Sequence, residues 1–173
     1  MPRRPPNPEF PATVLISGAE QLPYSFRGIA ADQEYGGGEW QVTTQTLHLE
    51  TGDYTLDGYA TRVGVERKSK ADLFRTIGQE RDRFVRELER FADYQFAAVV
   101  VEAGWEEILN DPPPYSQLDP RLIYRSVLAW QQRYPRVHWW FVADRDMGEV
   151  TTLRILERFL REQADVNFRK PKV

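Results

Sequence analysis

The chain of 173 residues contains no cysteine and only two histidines, His48 and His138. The first absence excludes disulfide frameworks, thiolate zinc sites and cysteine nucleophiles together. The second excludes a metal centre built from several imidazoles. Long apolar runs are also missing: none approaches the roughly 20 residues that span a bilayer. The opening MPRRPPNPEF lacks the apolar stretch of a signal peptide. Gly36–Gly38 is not followed by the Lys-Ser/Thr of a phosphate-cradling loop, so no nucleotide cofactor is expected. These absences lead to the expectation of a soluble, cytoplasmic protein without membrane attachment. Its chemistry must come from carboxylates, lysine, arginine or hydroxyls.

With 41% hydrophobic and 13% aromatic residues, the chain has enough apolar material for one well-buried domain. That domain is expected over residues 12–164. A loosely attached Pro/Arg-rich arm over 1–11 precedes it and a basic tail over 165–173 follows it. The net charge of -3 hides an asymmetry: residues 61–91 hold 9 basic and 6 acidic side chains, whereas residues 1–60 hold 3 and 8. The basic excess is therefore confined to one short stretch.

Periodicity divides the chain into strands and helices. TVLI (13–16) suits a buried strand, LPYSFRG (22–28) a turn, and Trp40–Leu49 a β-branched strand. TGDY (51–54) reads as a tight turn between further strands at YTLDGYA and RVGVE. Leu73, Phe74 and Ile77, then Phe84, Leu88 and Phe91, recur at helical spacing on either side of Gly78, which predicts two helices. FAAVVVE (96–102) is a continuous apolar run, as in a central strand covered on both faces. Asp119-Pro120 is a helix start, with Asp as cap and Pro in the first turn. The helix that follows is expected to turn Leu122, Val127, Leu128 and Trp130 inward. VHWWFVA (137–143) predicts a strand, and 148–162 a closing helix. Strands alternating with helices predict an α/β fold, a three-layer α/β/α sandwich with a mixed central sheet.

Two acids at expected strand ends carry the chemistry: Asp53 in Gly-Asp-Tyr and Glu66 in Val-Glu-Arg-Lys. Alternate residues of a strand share a face, so Glu66 and Lys68 project together. If the two strands pair, Asp53 approaches both. Asp53, Glu66 and the carbonyl between Glu66 and Lys68 form a hard, oxygen-rich set suited to Mg²⁺ or Mn²⁺. Lys68 would then hold a phosphate oxygen or orient water, the arrangement for metal-assisted phosphodiester hydrolysis. On spacing alone the same residues also fit a turn and solvated charges. Asp72 equally fits a helix cap, since Ser69-Lys70-Ala71-Asp72 has the form of a capping box.

The longer string Leu49-Glu50-Thr51-Gly52-Asp53-Tyr54, followed by Val65-Glu66-Arg67-Lys68-Ser69-Lys70-Ala71-Asp72, resembles the nuclease domain of the XPF family of structure-specific DNA endonucleases. Its signature of GD, then ERK, then Asp four residues past the Lys stands here in order. Residues 77–90 are similar to the family's arginine-bearing helix and FAAVVVEA to its next core strand. Glu20-Gln21-Leu22-Pro23-Tyr24-Ser25-Phe26 looks like a segment of bacterial and phage members. The resemblance runs from about Val14 to Leu160.

It implies a restriction-endonuclease-like core of the PD-(D/E)XK class that cuts DNA with Mg²⁺ or Mn²⁺, in repair, recombination or replication-fork processing. By this resemblance Lys68, Glu66 and Asp53 are catalytic, with Arg67, Asp72 and Glu20 in support. The metal ligands implied are Asp53 and Glu66, with the backbone at Val65 and Arg67. Arg81 and Arg83, with Lys70, are the implied DNA contacts. Arg81 and Arg83 fit equally a solvated helix face paired with acids such as Glu87. Two departures stand out. Where the family has Asp-x-Arg-Glu at the end of its first strand, this chain has Ser17-Gly18-Ala19-Glu20. The tandem helix-hairpin-helix domain common in eukaryotic and archaeal relatives has no counterpart in the closing residues.

The implied partners are branched or flapped DNA and a second copy of the chain. The rival reading is a catalytically weakened or inactive DNA-binding scaffold, motivated by Ser17 and Ala19. Trp130, Trp139 and Trp140 suit base stacking, but also core packing or a dimer face. Arg3, Arg4, Arg169, Lys170 and Lys172 offer non-specific phosphate attraction from the two ends.

Overall fold

A computed structural model describes residues 7–169; Arg3, Arg4, Lys170 and Lys172 lie outside the described residues. Six strands form one mixed sheet: β1 (Val14–Ser17), β2 (Thr44–Leu47), β3 (Tyr54–Leu56), β4 (Val63–Lys68), β5 (Phe96–Val101) and β6 (Val137–Phe141). Their order across the sheet is β2-β1-β3-β4-β5-β6. β3 runs antiparallel to both β1 and β4, while the pairs β1–β2, β4–β5 and β5–β6 are parallel. Helices α1 (Lys70–Gly78), α2 (Arg81–Phe91), α3 (Trp105–Asn110) and α4 (Pro120–Arg133) belong to one face, and α5 (Arg145–Arg169) to the other. The expected α/β/α sandwich with a mixed sheet is the observed architecture.

β5 explains the layering. Ala98 and Val100 join the core under α5, whereas Ala97, Val99 and Val101 join the core under α1, α2 and α4. A strand apolar on both faces must be covered on both, which is why FAAVVV contains no polar alternation. α5 adds Leu153 and Leu156, both fully buried, each contributing about 1.5–3 kcal/mol of burial. The break between α1 and α2 falls at Gln79 and Glu80, as Gly78 suggests. Asp119 caps α4 by accepting the Arg121 amide, with Pro120 in its first turn.

Several expectations are corrected. Pro8–Phe10 is not loose: backbone bonds tie it to Gln41, and Phe10 packs edge-on against Trp40. Only Thr44–Leu47 of the expected 40–49 strand is a strand, because Trp40 leaves the sheet to pack with Phe10 and Tyr35. The 22–28 segment is more than a turn: Tyr24 and Phe26 are buried against Tyr54. On α4 the inward face is Ile123, Val127 and Trp130, leaving Leu122 and Leu128 exposed. α3 has no signature in the sequence, since one buried residue, Ile108, leaves no period to read. α5 begins at Arg145 and continues through the expected tail to Arg169. Trp139 is buried and Trp140 is not, the alternation of an edge strand. No helix among the described residues is long and apolar enough to cross a membrane.

Candidate active site

The loop before β3 approaches β4 closely, and glycine makes this possible. Gly52 has φ 78°, and a Cβ there would lie 2.8 Å from the Phe91 ring and 3.2 Å from the Val65 carbonyl. Asp53 follows directly. Its amide donates to the Val65 carbonyl at 2.9 Å, and its carboxylate accepts the Arg67 amide at 2.8 Å. The Gly-Asp dipeptide thus has a steric half and a chemical half. Strand alternation then sends Glu66 and Lys68 to the face of α1 and α2, with Lys68 Nζ 2.8 Å from Glu66 Oε1 and 4.4 Å from the Phe84 ring centroid. The sequence-derived grouping of Asp53, Glu66 and Lys68 is the observed one.

These residues share a cleft of about 560 Å³ with Glu20, Arg67 and Asp72. Glu80, the N-cap residue of α2, and Arg83, Phe84 and Glu87 of α2 line it, together with Asp72, Arg75 and Thr76 of α1. Both sets follow the three- and four-residue spacing of one helix face. Asp72 is also the cap the sequence suggests: its amide bonds Ser69 Oγ at 3.1 Å and its carboxylate accepts Ser69 Oγ–H at 2.7 Å.

The electrostatics of the floor are unusual. Burial, and then Glu66, push Asp53 well above the ordinary carboxylate range, against the pull of the Arg67 amide. Burial and Glu66 likewise push Glu87 up to about 7, opposed by Lys68 and the Gly52 amide. Burial alone would lower Lys68, but Glu66, Glu87 and Asp53 overcome it and hold its ammonium above the usual lysine value. Crowded acids with hard oxygen donors are what a divalent cation would relieve, so the donor set fits Mg²⁺ or Mn²⁺.

Arg67 faces the other side of the sheet. Its guanidinium pairs with both oxygens of Glu102, at 2.7 and 2.8 Å, and reaches Glu20 at 3.3 Å. Tyr24 donates its hydroxyl to Glu102 at 2.7 Å, and Arg145 lies 3.5 Å from the same carboxylate. This buried assembly holds the Arg67 backbone, whose amide in turn aims Asp53. Ser17, where the resembling family has an acid, donates its amide to the Asp53 carbonyl at 2.8 Å, and its hydroxyl accepts the Ala19 amide at 3.2 Å.

Other expected residues lie differently. Arg81 turns away from the cleft, donating to Ser126 Oγ at 2.7 Å with its guanidinium over Trp130. Lys70 is taken up by Glu107 and Asp111 at 2.7 and 3.0 Å. The Val65 carbonyl is engaged by the Asp53 amide. Arg83 does line the cleft, its side chain 79% exposed. His48 is exposed and does not line it; His138 is exposed and stacks on Phe96 at 4.5 Å. Sequence reasoning assigned Glu87 to surface ion pairs and passed over Arg75, Tyr24 and Glu102. For Glu87 a signal existed: it flanks the apolar stripe of Phe84, Leu88 and Phe91. Among the described residues, three acids with ligand atoms within 4.8 Å of one another occur only at Asp32, Glu34 and Glu157. Arg154 and Arg161 pair with that group, which makes it an ion-pair cluster.

Residues 33–152 match the family model described as the ERCC4 domain. No curated protein matches the chain. Among solved structures it is similar to XPF from Aeropyrum pernix, at 20% identity and TM-score 0.62, over 92% of this chain and 69% of that one. It is also similar to XPF from Aeropyrum pernix in complex with DNA, at 19% identity and TM-score 0.57, over 88% of this chain and 66% of that one. The likeness is one of fold, and the chain spans about two thirds of each solved chain.

Proposed function

The chain belongs to the ERCC4-domain family, and on that premise we propose that it is a DNA endonuclease that requires Mg²⁺ or Mn²⁺. The observation that carries this reading is the grouping of half-buried Asp53 with buried Glu66 and Lys68 in one cleft with arginines at its rim. Asp53 and Glu66 would hold the cation, helped by the backbone at Arg67. When bound, such an ion lowers the pKa of a water and offsets charge on the scissile phosphate. Lys68 keeps its proton and donates it in a hydrogen bond to a phosphate oxygen or to the attacking water. The Arg67–Glu102–Tyr24 assembly keeps the Asp53 carboxylate oriented, and Asp72 holds the start of α1 beside it. Arg75 and Arg83 at the rim suit backbone phosphates, which position DNA without reading sequence. Branched or flapped DNA is the substrate class, with repair, recombination or fork processing as the setting.

A second copy of the chain would pair across the apolar groove between β6 and α5, where Trp140 and Met147 are 46% and 49% exposed. Ser17 and Ala19 favour one rival, a scaffold that binds DNA without cutting it. The deciding experiment is a cleavage assay on linear, nicked, flapped and forked DNA with Mg²⁺ or Mn²⁺. Wild-type cleavage that is lost in Asp53→Asn and Lys68→Ala supports the endonuclease. Cleavage untouched by both substitutions overturns the assigned site. DNA binding without cleavage by the wild type establishes the scaffold.

A further inference from the structure

α2 supplies a third acid to the cleft floor that the GD and ERK elements do not contain. Glu87 is half-buried on the flank of the buried stripe Phe84–Leu88–Phe91. One oxygen is anchored by the Gly52 amide at 3.1 Å, and the carboxylate lines the same cleft as Glu66. Lys68 is the cation that faces this floor. The neighbouring guanidiniums are already engaged: Arg67 with Glu102 and Glu20, Arg75 with Asp72 and Glu80, and the exposed Arg83 with Glu80. Asp53, Glu66 and Glu87 thus bring three carboxylates to a floor holding one ammonium. Glu89, two residues further on, is exposed on the opposite side of the helix.

We infer that Glu87 is a third metal-facing carboxylate, which receives the hydrated divalent cation together with Asp53 and Glu66. Resting on the endonuclease reading, it adds a residue to that site. The three acids do not converge within 4.8 Å of one another. Mg²⁺ and Mn²⁺ sites commonly retain bound waters, and a carboxylate set back from the ion holds such waters by accepting their hydrogen bonds. Gly52 couples the two halves of this set, since it stands beside Asp53 and donates to Glu87.

Mn²⁺ binding to the full chain, read by calorimetry and by the electron paramagnetic resonance of free Mn²⁺, tests this without reference to activity. Glu87→Gln keeps an oxygen for the Gly52 amide while removing the charge, and circular dichroism melts check its fold. Its Mn²⁺ affinity is expected to fall about 10- to 100-fold, the usual loss when an outer partner of a metal site is removed. Glu89→Gln, which removes the same charge outside the cleft, is expected to leave affinity unchanged. Wild-type affinity in Glu87→Gln overturns the inference and leaves the endonuclease reading intact, as does an equal loss in both variants. Absence of Mn²⁺ binding by the wild type overturns both.

Discussion

Replacing Gly52 by alanine should damage stability through two separable effects. At φ 78° an alanine is strained, by about 1–2 kcal/mol. Its Cβ would also lie 2.8 Å from the Phe91 ring, an overpacking of a kind that costs about 1–3 kcal/mol. The expected loss is therefore about 2–5 kcal/mol, or a Tm fall of roughly 4–20 °C for a protein of this size. The second effect is removable. Phe91→Leu withdraws the ring from Gly52, at the cost of a cavity, while leaving the backbone strain untouched. In a double-mutant cycle by urea denaturation, Gly52→Ala with Phe91→Leu should be more stable than the sum of the singles by about 1–2 kcal/mol. Gly64 is a control for the ring's reach, because a Cβ there would lie 2.6 Å from the same Phe91. Strict additivity in the Gly52 cycle would refute the steric account. The glycine would then be needed for its conformation alone.

Other outcomes follow from the same geometry. Glu102→Gln leaves the buried Arg67 guanidinium with one partner weakened, and should cost about 3 kcal/mol in chemical denaturation. An unchanged midpoint would mean that Glu20 suffices to hold Arg67. Arg83→Ala should weaken DNA binding and reduce the dependence of log K on log salt by about one unit. Arg81→Ala should instead lower Tm and leave that slope alone, because Arg81 is spent on Ser126 and Trp130. The metal-free protein should lose stability as pH rises from about 5 to 8. Glu87 binds its proton more tightly folded than unfolded, with a folded value of about 7, so its contribution is full at low pH and lost as pH passes that value. Thermal melts across this range should show the fall in the wild type and a shallower one in Glu87→Gln. Parallel curves would refute the assignment, and added Mg²⁺ should flatten the wild-type profile.

Much of the fold was legible because period and burial were locally consistent. The two-faced apolar run at β5, the pair of helices around Gly78, and the Asp119-Pro120 start each depend on residues near in sequence. The failures share a cause. Phe10, Trp40, Tyr24 and Phe26 occupy irregular segments, where side chains find the core without any period to advertise it. Leu122 and Leu128 are as apolar as Ile123, Val127 and Trp130, but only the latter lie on the face of α4 that is buried.

At the site, the amino-acid order alone singled out Asp53, Glu66 and Lys68 as candidates and determined that Glu66 and Lys68 share a face, since strand alternation is a local rule. It also left carboxylates and lysine as the available donors, once cysteine and clustered histidine were absent. Tertiary structure decided the rest. Arg81 and Arg83, two residues apart, point to nearly opposite sides of α2, and packing places Trp130 on one side and the cleft on the other. Glu87 and Glu89 are equally similar in sequence, and only the close approach of Gly52 to α2 brings Glu87 beside Asp53 and Glu66. Direction on a helix is periodic and readable. What lies in that direction depends on packing between distant segments, which a local pattern does not encode.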